Sequence, residues 1–425
     1  MGHNEFSGYY KHPIPKRREI LAATGMLEQK ELDALFAQAG LPLETADRMI
    51  ENVIGAFPLP LGIATNFIIN GKEAIVPMVL EEPSVVAAAS NAAKMAQECG
   101  GFRATSTESI MIGEIALARL PDFDKALETL NSKKKKIMEI ASPYAAGIAK
   151  YGGGIRSLEI SPLETPAGKM ILLKFYVDVK DAMGANTINT IVELSAPEIE
   201  KIAGGEARLR IISNLAPKRI ARASATWKAK TLGAGIADKI IEGWAIAAAD
   251  PYRCATHNKG IMNGIDAVAI ATGQDFRAIE AGCHAYAALG GAYKPLTRYY
   301  KDANGDLVGE IEIPVPVGIV GGAVRTHPMA GACLKLLNVK TARELGEAIA
   351  CVGLAQNFAA LRAITTEGIQ KGHMKLHAKN IAVNAGAAGE EIEKVSELMI
   401  SQNKIGVENA TAILKEIRKG TAKKK

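Results

Sequence analysis

Four short segments of the chain set ionisable side chains beside glycine or proline, a composition typical of backbone that closes around a ligand. The first segment holds two adjacent acids, Glu81 and Glu82, followed by Pro83 and an alanine-rich stretch. Such acids can simply cap the N-terminus of a helix. Alternatively, they deliver a carboxyl group into a cleft, where it exchanges a proton with a ligand.

The second segment, residues 250–266, places Arg253, His257, Lys259 and Asn263 between small residues. We predict a tight, partly buried turn here, although a solvated loop could have the same composition. A lysine held in such a turn must either be paired with an acid or lose its charge more easily than in water.

The third segment follows an apolar strand and opens a helix, and it contains Asp181, Met183, Gly184 and Asn186. Free amides at a helix start suit a phosphate or a carboxamide, and glycine permits close approach of the backbone. The segment does not have the GxGxxG pattern, and neither do the glycine runs at 152–154 and 318–322. The sequence therefore does not favour a Rossmann fold.

The fourth segment carries His373 and His377, which would share one face of a helix. This spacing superficially suggests a metal site, but the chain has no HExxH motif and no cysteine lies nearby. We expect no metal. Instead, His373 is predicted to act as a proton donor on a mobile segment, and His377 to be structural.

The elements that would position these residues indicate an α+β fold. Two or three short helices are expected within residues 17–54, and a hairpin at 62–77 with its turn at Asn70-Gly71. A fully buried helix is predicted at 84–99 and another helix at 341–365, and most of the chain after residue 214 is expected to be helical.

The middle of the chain reads strand, helix, strand, strand, helix, strand, which predicts a ferredoxin-like domain. The strands are expected at residues 109–120, 155–160, 170–180 and 207–213, with helices at 122–144 and 186–203. This small domain (108–215) would be inserted into a large, mainly helical domain (1–107 plus 216–367). Residues 368–425 would form a mobile C-terminal helical flap, or lid.

Composition excludes several classes of protein. The 425 residues are 48% hydrophobic and only 5% aromatic, and much of the net charge of +6 lies in lysine runs at 133–136 and in the tail. Nucleic-acid binding is therefore not expected. Five dispersed cysteines without a CxxC pair favour a reducing cytoplasm. No signal-peptide core and no apolar run near 20 residues are seen, so no membrane partner is expected.

Six segments, in the order in which they occur, resemble the hydroxymethylglutaryl-CoA (HMG-CoA) reductase family, in its soluble class II branch. They are residues 51–55 (ENVIG), 81–84 (EEPS), 181–186 (DAMGAN), 256–266 (THNKGIMNGID), 318–322 (GIVGG) and 372–374 (GHM). The resemblance extends from about residue 30 to about residue 385. It implies an oxidoreductase that uses NAD(H) or NADP(H) to interconvert HMG-CoA with mevalonate and CoA.

The resemblance also implies the roles of four catalytic residues. Lys259 would meet the oxygen on which charge develops, and Asp275 would hydrogen-bond that lysine, although Asp275 could equally be a helix N-cap. His373 would protonate the CoA thiolate. Glu82 would donate a proton to the aldehyde. The sequence leaves the protonation state of Glu82 open, because burial favours the acid while Lys259 favours the carboxylate.

Binding residues and partners follow from the same resemblance. Arg253, Ser84 and Asn263 would contact the substrate, whereas Asn214 would join the third segment in binding the cofactor. Residues 51–55 would lie at the interface of a homodimer, or higher oligomer, with shared active sites. NAD-preferring relatives carry an aspartate near position 145, but this chain has no acid at 142–150, so the choice between NADH and NADPH stays open.

Two other functions are compatible with parts of this pattern. Lys259 and Glu82 could serve another nicotinamide-dependent oxidoreductase that acts on a small hydroxy acid without CoA. A non-catalytic acyl-CoA-binding protein could share the fold, but it would have no need for Lys259, Asp275, Glu82 and His373 together.

Overall fold

The computed structural model describes residues 6, 8–36, 41–366, 368 and 378–422. Its strands are β1 (Leu61–Ile69), β2 (Lys72–Val79), β3 (Phe102–Ser106), β4 (Ile110–Ala118), β5 (Gly154–Thr165), β6 (Gly168–Asp178), β7 (Glu206–Ser213), β8 (Ile220–Trp227), β9 (Thr297–Lys301) and β10 (Leu307–Pro314). The helices of the first half are α1 (Ile14–Ala23), α2 (Gln29–Phe36), α3 (Leu43–Asp47), α4 (Val85–Ala96), α5 (Phe123–Ser132), α6 (Lys134–Ala141), α7 (Ala146–Ala149) and α8 (Ala185–Ala203). Those of the second half are α9 (Ala229–Leu232), α10 (Ile236–Ala249), α11 (Pro251–Ala271), α12 (Phe276–Ala288), α13 (Ala323–Thr326), α14 (Pro328–Leu337), α15 (Ala342–Thr365), α16 (described over 378–384), α17 (Glu390–Ser401) and α18 (Val407–Ala422).

A four-stranded antiparallel sheet lies in the middle of the chain, in the order β5-β6-β4-β7. This strand order, with helices between β4 and β5 and between β6 and β7, is the ferredoxin-like arrangement, so that prediction is confirmed. The single helix predicted at 122–144 is wrong in detail, because the chain leaves helical geometry at Lys133, between α5 and α6. In an unbroken helix the like charges of Lys133 and Lys136 would lie on one face, three residues apart, which favours a break.

A second sheet has six strands in the order β2-β1-β3-β8-β10-β9. Its hairpin is the predicted one, because Asn70 (φ 51°) and Gly71 (φ 78°) both adopt the left-handed conformation of a tight two-residue turn. Most of the described chain after residue 214 is helical, as expected, but the prediction missed three strands, β8, β9 and β10. In β8 three of the four residues on the buried face are alanines, whose high helix propensity masks the two-residue alternation of a strand.

The α15 helix is the centre of the larger core and packs against α4, α10, α11 and β8. Its Phe358 ring stacks on Trp227 of β8 at 3.9 Å between centroids. Among the described helices, α15 is the one whose length and composition would suffice to cross a membrane, although 67% of its most apolar window is buried in the protein. This corrects the expectation that no apolar stretch approaches that length.

Two further predictions concern the burial of α4 and the helices of the C-terminal part. The α4 helix is not fully buried as predicted, because only one face, which includes Val85, Ala89 and Ala93, is enclosed. The last described helices enclose a small core of their own around Val395 and Met399, as expected for a helical module. The residues at 372–374, with His373, and also His377 lie outside the described part of the chain.

Candidate active site

The structure brings together the carboxylate of Glu82, the ammonium group of Lys259 and the carboxamide of Asn263. Lys259 Nζ donates to Glu82 Oε2 at 2.9 Å, and Asn263 Nδ2 donates to the same oxygen at 3.2 Å. The Lys259 side chain is 61% exposed and that of Glu82 is 35% exposed. A paired cation and acid therefore stand side by side at a surface that a ligand can reach.

Glu82 reaches this position because of the sharp turn that starts α4. Ser84 is the N-cap of α4 and has a left-handed backbone (φ 75°), and its side chain makes no capping hydrogen bond. A left-handed non-glycine residue costs free energy, and such strain is typical of functional sites. Of the two interpretations of the acids at 81–82, the one in which a carboxyl group is delivered to a cleft agrees with the Glu82 contacts.

Lys259 and Asn263 are presented by a helix, α11, and not by the tight turn that the sequence predicted. Asp250 caps this helix by accepting from Arg253 N at 2.7 Å, and Pro251 occupies its first turn. Lys259 and Asn263 are four residues apart, so they share one helical face. One of the glycines that suggested a turn, Gly264, instead serves helix packing. A Cβ on Gly264 would lie 3.1 Å from Val352 O, so glycine allows α11 to pack closely against α15.

The opposite face of α11 is held by a buried polar network. The Thr297 hydroxyl donates to Asn357 Oδ1 at 2.9 Å, so His257 Nε2–H donates to Thr297 Oγ1 at 2.7 Å. Tyr299 also donates to Asn357 Oδ1, at 3.0 Å. Burial lowers the pKa of His257 to about 3, so its ring is neutral near pH 7. His257 is therefore a structural residue that fixes the direction in which α11 points.

Arg253 lies one turn before His257 on α11 and is partly buried. Burial lowers the pKa of its guanidinium, yet the group stays charged at neutral pH. Among the ion pairs of the described residues none involves Arg253, so its guanidinium is available to an anionic ligand.

Asp275 does not contact Lys259 within the chain. It is the N-cap of α12, where it accepts from Ala278 N at 3.1 Å and pairs with Arg277 at 3.2 Å. The neighbouring Gln274 N bonds to Ala269 O, and Ala269 lies ten residues beyond Lys259 on α11. At 1.5 Å per residue, Lys259 and Ala269 lie about 15 Å apart along the helix, so the turn that carries Asp275 is at the end of α11 away from Lys259. The helix-cap interpretation of Asp275 is thus correct within one chain.

The predicted cofactor residues lie where β6 leads into α8, and we call residues 181–186 the cofactor segment. Gly184 is the N-cap of the 19-residue α8, with φ 109° and no side-chain cap. A Cβ there would lie 2.9 Å from Val179 Cγ1, so only glycine fits. The first amides of α8 are therefore open to an anionic or amide ligand.

Other members of the predicted cofactor set also have structural contacts. The Asp181 carboxylate accepts from Ala342 N at 2.8 Å, at the start of α15. Asn214 lies in the turn between β7 and β8, and α12 packs on that turn, because a Cβ on Gly282 would lie 2.6 Å from Asn214 O. Met183 and Asn186 flank the N-cap glycine.

Three buried or partly buried groups near these segments could not be recognised from the sequence. Arg219 contacts the backbone of the cofactor segment. Gln274 contacts the backbone of the glycine-rich turn that follows β10. Asp266, on α11 three residues after Asn263, faces Glu280 of α12. Burial, together with a hydrogen bond to Glu280, raises the pKa of Asp266 to about 8. Within the described ranges, no group of three or more His, Cys, Asp and Glu residues is arranged to hold a metal ion.

With this geometry established, comparison with known proteins identifies the family. The family model described as hydroxymethylglutaryl-coenzyme A reductase matches residues 13–378. The chain belongs to the HMG-CoA reductase family. The HMG-CoA reductase of Archaeoglobus fulgidus is 53% identical over 415 residues, covering 97% of this chain and 94% of that protein. The probable HMG-CoA reductase of Borreliella burgdorferi is 36% identical over 426 residues, covering 97% of this chain and 96% of its own length.

Solved structures of HMG-CoA reductase agree with the assignment. The enzyme of Streptococcus pneumoniae superimposes with a TM-score of 0.83 at 39% identity, covering 97% of this chain and 99% of that one. A class II structure from the same organism, bound to NADPH in open conformations, gives a TM-score of 0.82 over 85% of this chain and 100% of that one. The predicted class II resemblance, the α+β fold and the activity are confirmed. The chain is an NAD(P)-dependent oxidoreductase that interconverts HMG-CoA and mevalonate.

Proposed function

We propose that Lys259, Glu82 and Asn263 form the reacting centre of this HMG-CoA reductase, with Lys259 stabilising charge on the substrate oxygen. The observation that carries the proposal is the contact of Lys259 Nζ and Asn263 Nδ2 with one oxygen of Glu82. When hydride adds to a thioester carbonyl, negative charge develops on oxygen, and an ammonium group next to that oxygen lowers the barrier. Lys259 is exposed on the ligand side, so it can turn from Glu82 towards that oxygen.

The second half of the reaction needs two proton donations. The hemithioacetal expels CoA as a thiolate, and His373 supplies its proton. The resulting aldehyde takes a second hydride at carbon and a proton at oxygen, and that proton comes from Glu82, whose carboxylate first takes up a proton from solvent. The donors of Lys259 and Asn263 hold the Glu82 carboxyl beside the carbonyl, so the proton moves over one hydrogen bond.

The substrate is held by its free carboxylate. Arg253 is a partly buried cation that forms no ion pair within the described chain, and its planar guanidinium suits a carboxylate. The Ser84 hydroxyl is not used as a helix cap, so it can supply a second donor. Both side chains belong to the elements that carry Lys259 and Glu82.

The nicotinamide cofactor supplies the two hydrides, and we favour NADPH. The cofactor segment fits such a group, because Gly184 leaves the first amides of α8 uncapped. Residues 142–150 contain no acid that would repel a 2′-phosphate, and the S. pneumoniae relative was solved with NADPH bound. Initial rates with HMG-CoA and either NADPH or NADH, measured side by side at 340 nm, test this choice. A higher kcat/KM with NADH would contradict it.

A homodimer with shared sites explains why Asp275 and Lys259 are far apart within one chain. Residues 51–55 and the stretch after them carry unusually exposed apolar side chains, since Ile54 is 102% and Phe57 90% exposed. Such a patch indicates an interface. In a two-fold dimer, Asp275 of one copy would approach Lys259 of the other.

Mixing two inactive variants tests the shared site directly. Lys259→Ala and Asp275→Asn subunits, co-refolded in equal amounts, should recover about a quarter of wild-type activity, because half of the dimers then hold one intact site. Each variant alone should stay inactive. No recovery, although mixed dimers form, would mean that both residues act within one chain, against the distance described above.

The compartment proposed for the enzyme is the cytoplasm. All five cysteines are free thiols, and four of them are buried. Thiols of this kind are typical of a reducing compartment.

A further inference from the structure

A buried arginine joins two loops that are distant in the sequence. Arg219 lies between β7 and β8 and is only 5% exposed. Its Nη1 donates to Met183 O of the cofactor segment at 2.9 Å, and its Nη2 donates to Val317 O. Burial lowers the pKa of Arg219 to about 10, so the side chain is charged at neutral pH.

No carboxylate contacts this guanidinium within the described part of the chain. Asp178 and Asp181 act on it only through their longer-range charge. Asp178 is already paired with Arg156 at 2.7 Å and with Lys180 at 2.8 Å. Arg219 is therefore committed to two backbone carbonyls, and its fixed fork of donors sets their separation.

The two loops that Arg219 joins are in direct contact. A Cβ on Gly318 would overlap Met183 N, and Ile319 N donates to Asp181 O at 2.9 Å. From the other side, Gln274 Oε1 accepts from Gly318 N at 2.8 Å. The turn at 317–319 is thus held between the cofactor segment and the turn that carries Asp275.

We propose that Arg219 is a positioning residue that holds the cofactor segment against the turn at 317–319 and thereby sets the affinity for the nicotinamide cofactor. The inference deepens the proposed function and rests on it, because each HMG-CoA consumes two hydrides and so requires a cofactor exchange midway. A loop already held in its binding geometry takes up each new cofactor without an ordering cost. Lysine cannot reproduce the two-pronged contact, so the charge alone does not suffice.

The experiment compares NADPH binding to the whole enzyme and to two matched variants. Arg219→Lys is the test. Arg222→Lys is the control, since Arg222 lies three residues further along the chain, on β8, but pairs with Glu312 at the surface. NADPH affinity is titrated by its fluorescence, and KM is measured for both substrates. Arg219→Lys should bind NADPH about tenfold more weakly, with kcat at saturation and the KM for HMG-CoA within about twofold of wild type. Arg222→Lys should match wild type.

Each result decides the matter. Unchanged NADPH affinity in folded Arg219→Lys overturns the inference, and so does an equal loss of affinity for NADPH and HMG-CoA, which would indicate general loosening. Should Arg219→Lys fail to fold, Gln274→Met is measured in its place, because it removes the acceptor on the other side of the same turn. Weaker NADPH binding by Gln274→Met then supports the inference, and unchanged NADPH binding overturns it. A wild type that binds NADPH but does not reduce HMG-CoA would contradict the proposed function alone.

Discussion

Replacing Lys259 by alanine separates a catalytic role of this residue from a structural one. The only contact of its ammonium group within the described residues is Glu82 Oε2, at 2.9 Å, and the lysine is 61% exposed. An exposed ion pair contributes about 0–1 kcal/mol to stability. For a chain of this size such a loss lowers the melting temperature by no more than about 4 °C.

The expected loss of activity is much larger. Removing one preorganised donor to a developing oxyanion lowers kcat by roughly 10²–10³, and a full positive charge is worth at least as much. Lys259→Ala should therefore lose two or more orders of magnitude in kcat with HMG-CoA while it melts almost like the wild type.

The assay is NADPH oxidation at saturating HMG-CoA, together with a thermal melt of the same preparation. Lys301→Ala is the matched control, because Lys301 forms a comparable surface ion pair with Asp238 at 2.5 Å. That variant should keep its kcat. A Lys259→Ala enzyme with kcat within a few-fold of wild type would refute the reasoning, since no positive charge would then be needed at the carbonyl oxygen.

Three further variants test other parts of the site. Glu82→Gln should slow the reduction of free mevaldehyde by at least about 10²-fold, because a carboxamide cannot donate the proton; unchanged mevaldehyde kinetics would exclude Glu82 as the acid. His373→Gln should impair the steps that involve the thioester and spare mevaldehyde, and an equal loss with both substrates would contradict its role at the thiolate. The pKa of Asp266 is raised to about 8 in the fold, against 3.8 for an ordinary aspartate, so its contribution to stability is complete below about pH 4 and is lost as the pH rises through 8. The unfolding free energy of the wild type should therefore fall between pH 4 and 8 by up to about 1.4 kcal/mol per pH unit for one proton, and Asp266→Asn should flatten this fall. Unfolding free energies measured by urea titration that depend on pH equally in both proteins would contradict the assignment.

Much of the fold could be predicted because the signals are local. The Asn70-Gly71 turn and the alternating strands of the small domain depend on neighbours within a few residues. The strand β8 was missed because three of its four inward positions are alanines. The α11 helix was missed because Gly260 and Gly264 resemble turn residues when the helix α15 that Gly264 faces is unknown. In both cases tertiary packing outweighs local propensity.

The candidate site was predictable only in part, for a related reason. Glu82, Lys259 and Asn263 stand in short motifs, and the structure brings them together. Arg219 and Gln274 act on backbone groups far away in sequence, which leaves no mark in their own surroundings. The separation of Asp275 from Lys259 likewise depends on where α11 ends and how the chain turns after it. The composition of the segment does not reveal the end of that helix.

The neutral ring of His257, on the buried face of α11, affects how acid inactivation of this enzyme should be interpreted. Its pKa is about 3 in the fold and 6.5 in an unfolded chain, so protons bind the unfolded state preferentially and stability declines as the pH falls from about 6.5 towards 3. The ring is joined to Thr297 and Asn357, and its charging would require that whole network to open. Loss of turnover in mild acid would then report the loosening of the helix that carries Lys259, and a near-ultraviolet circular dichroism signal should decline over the same range.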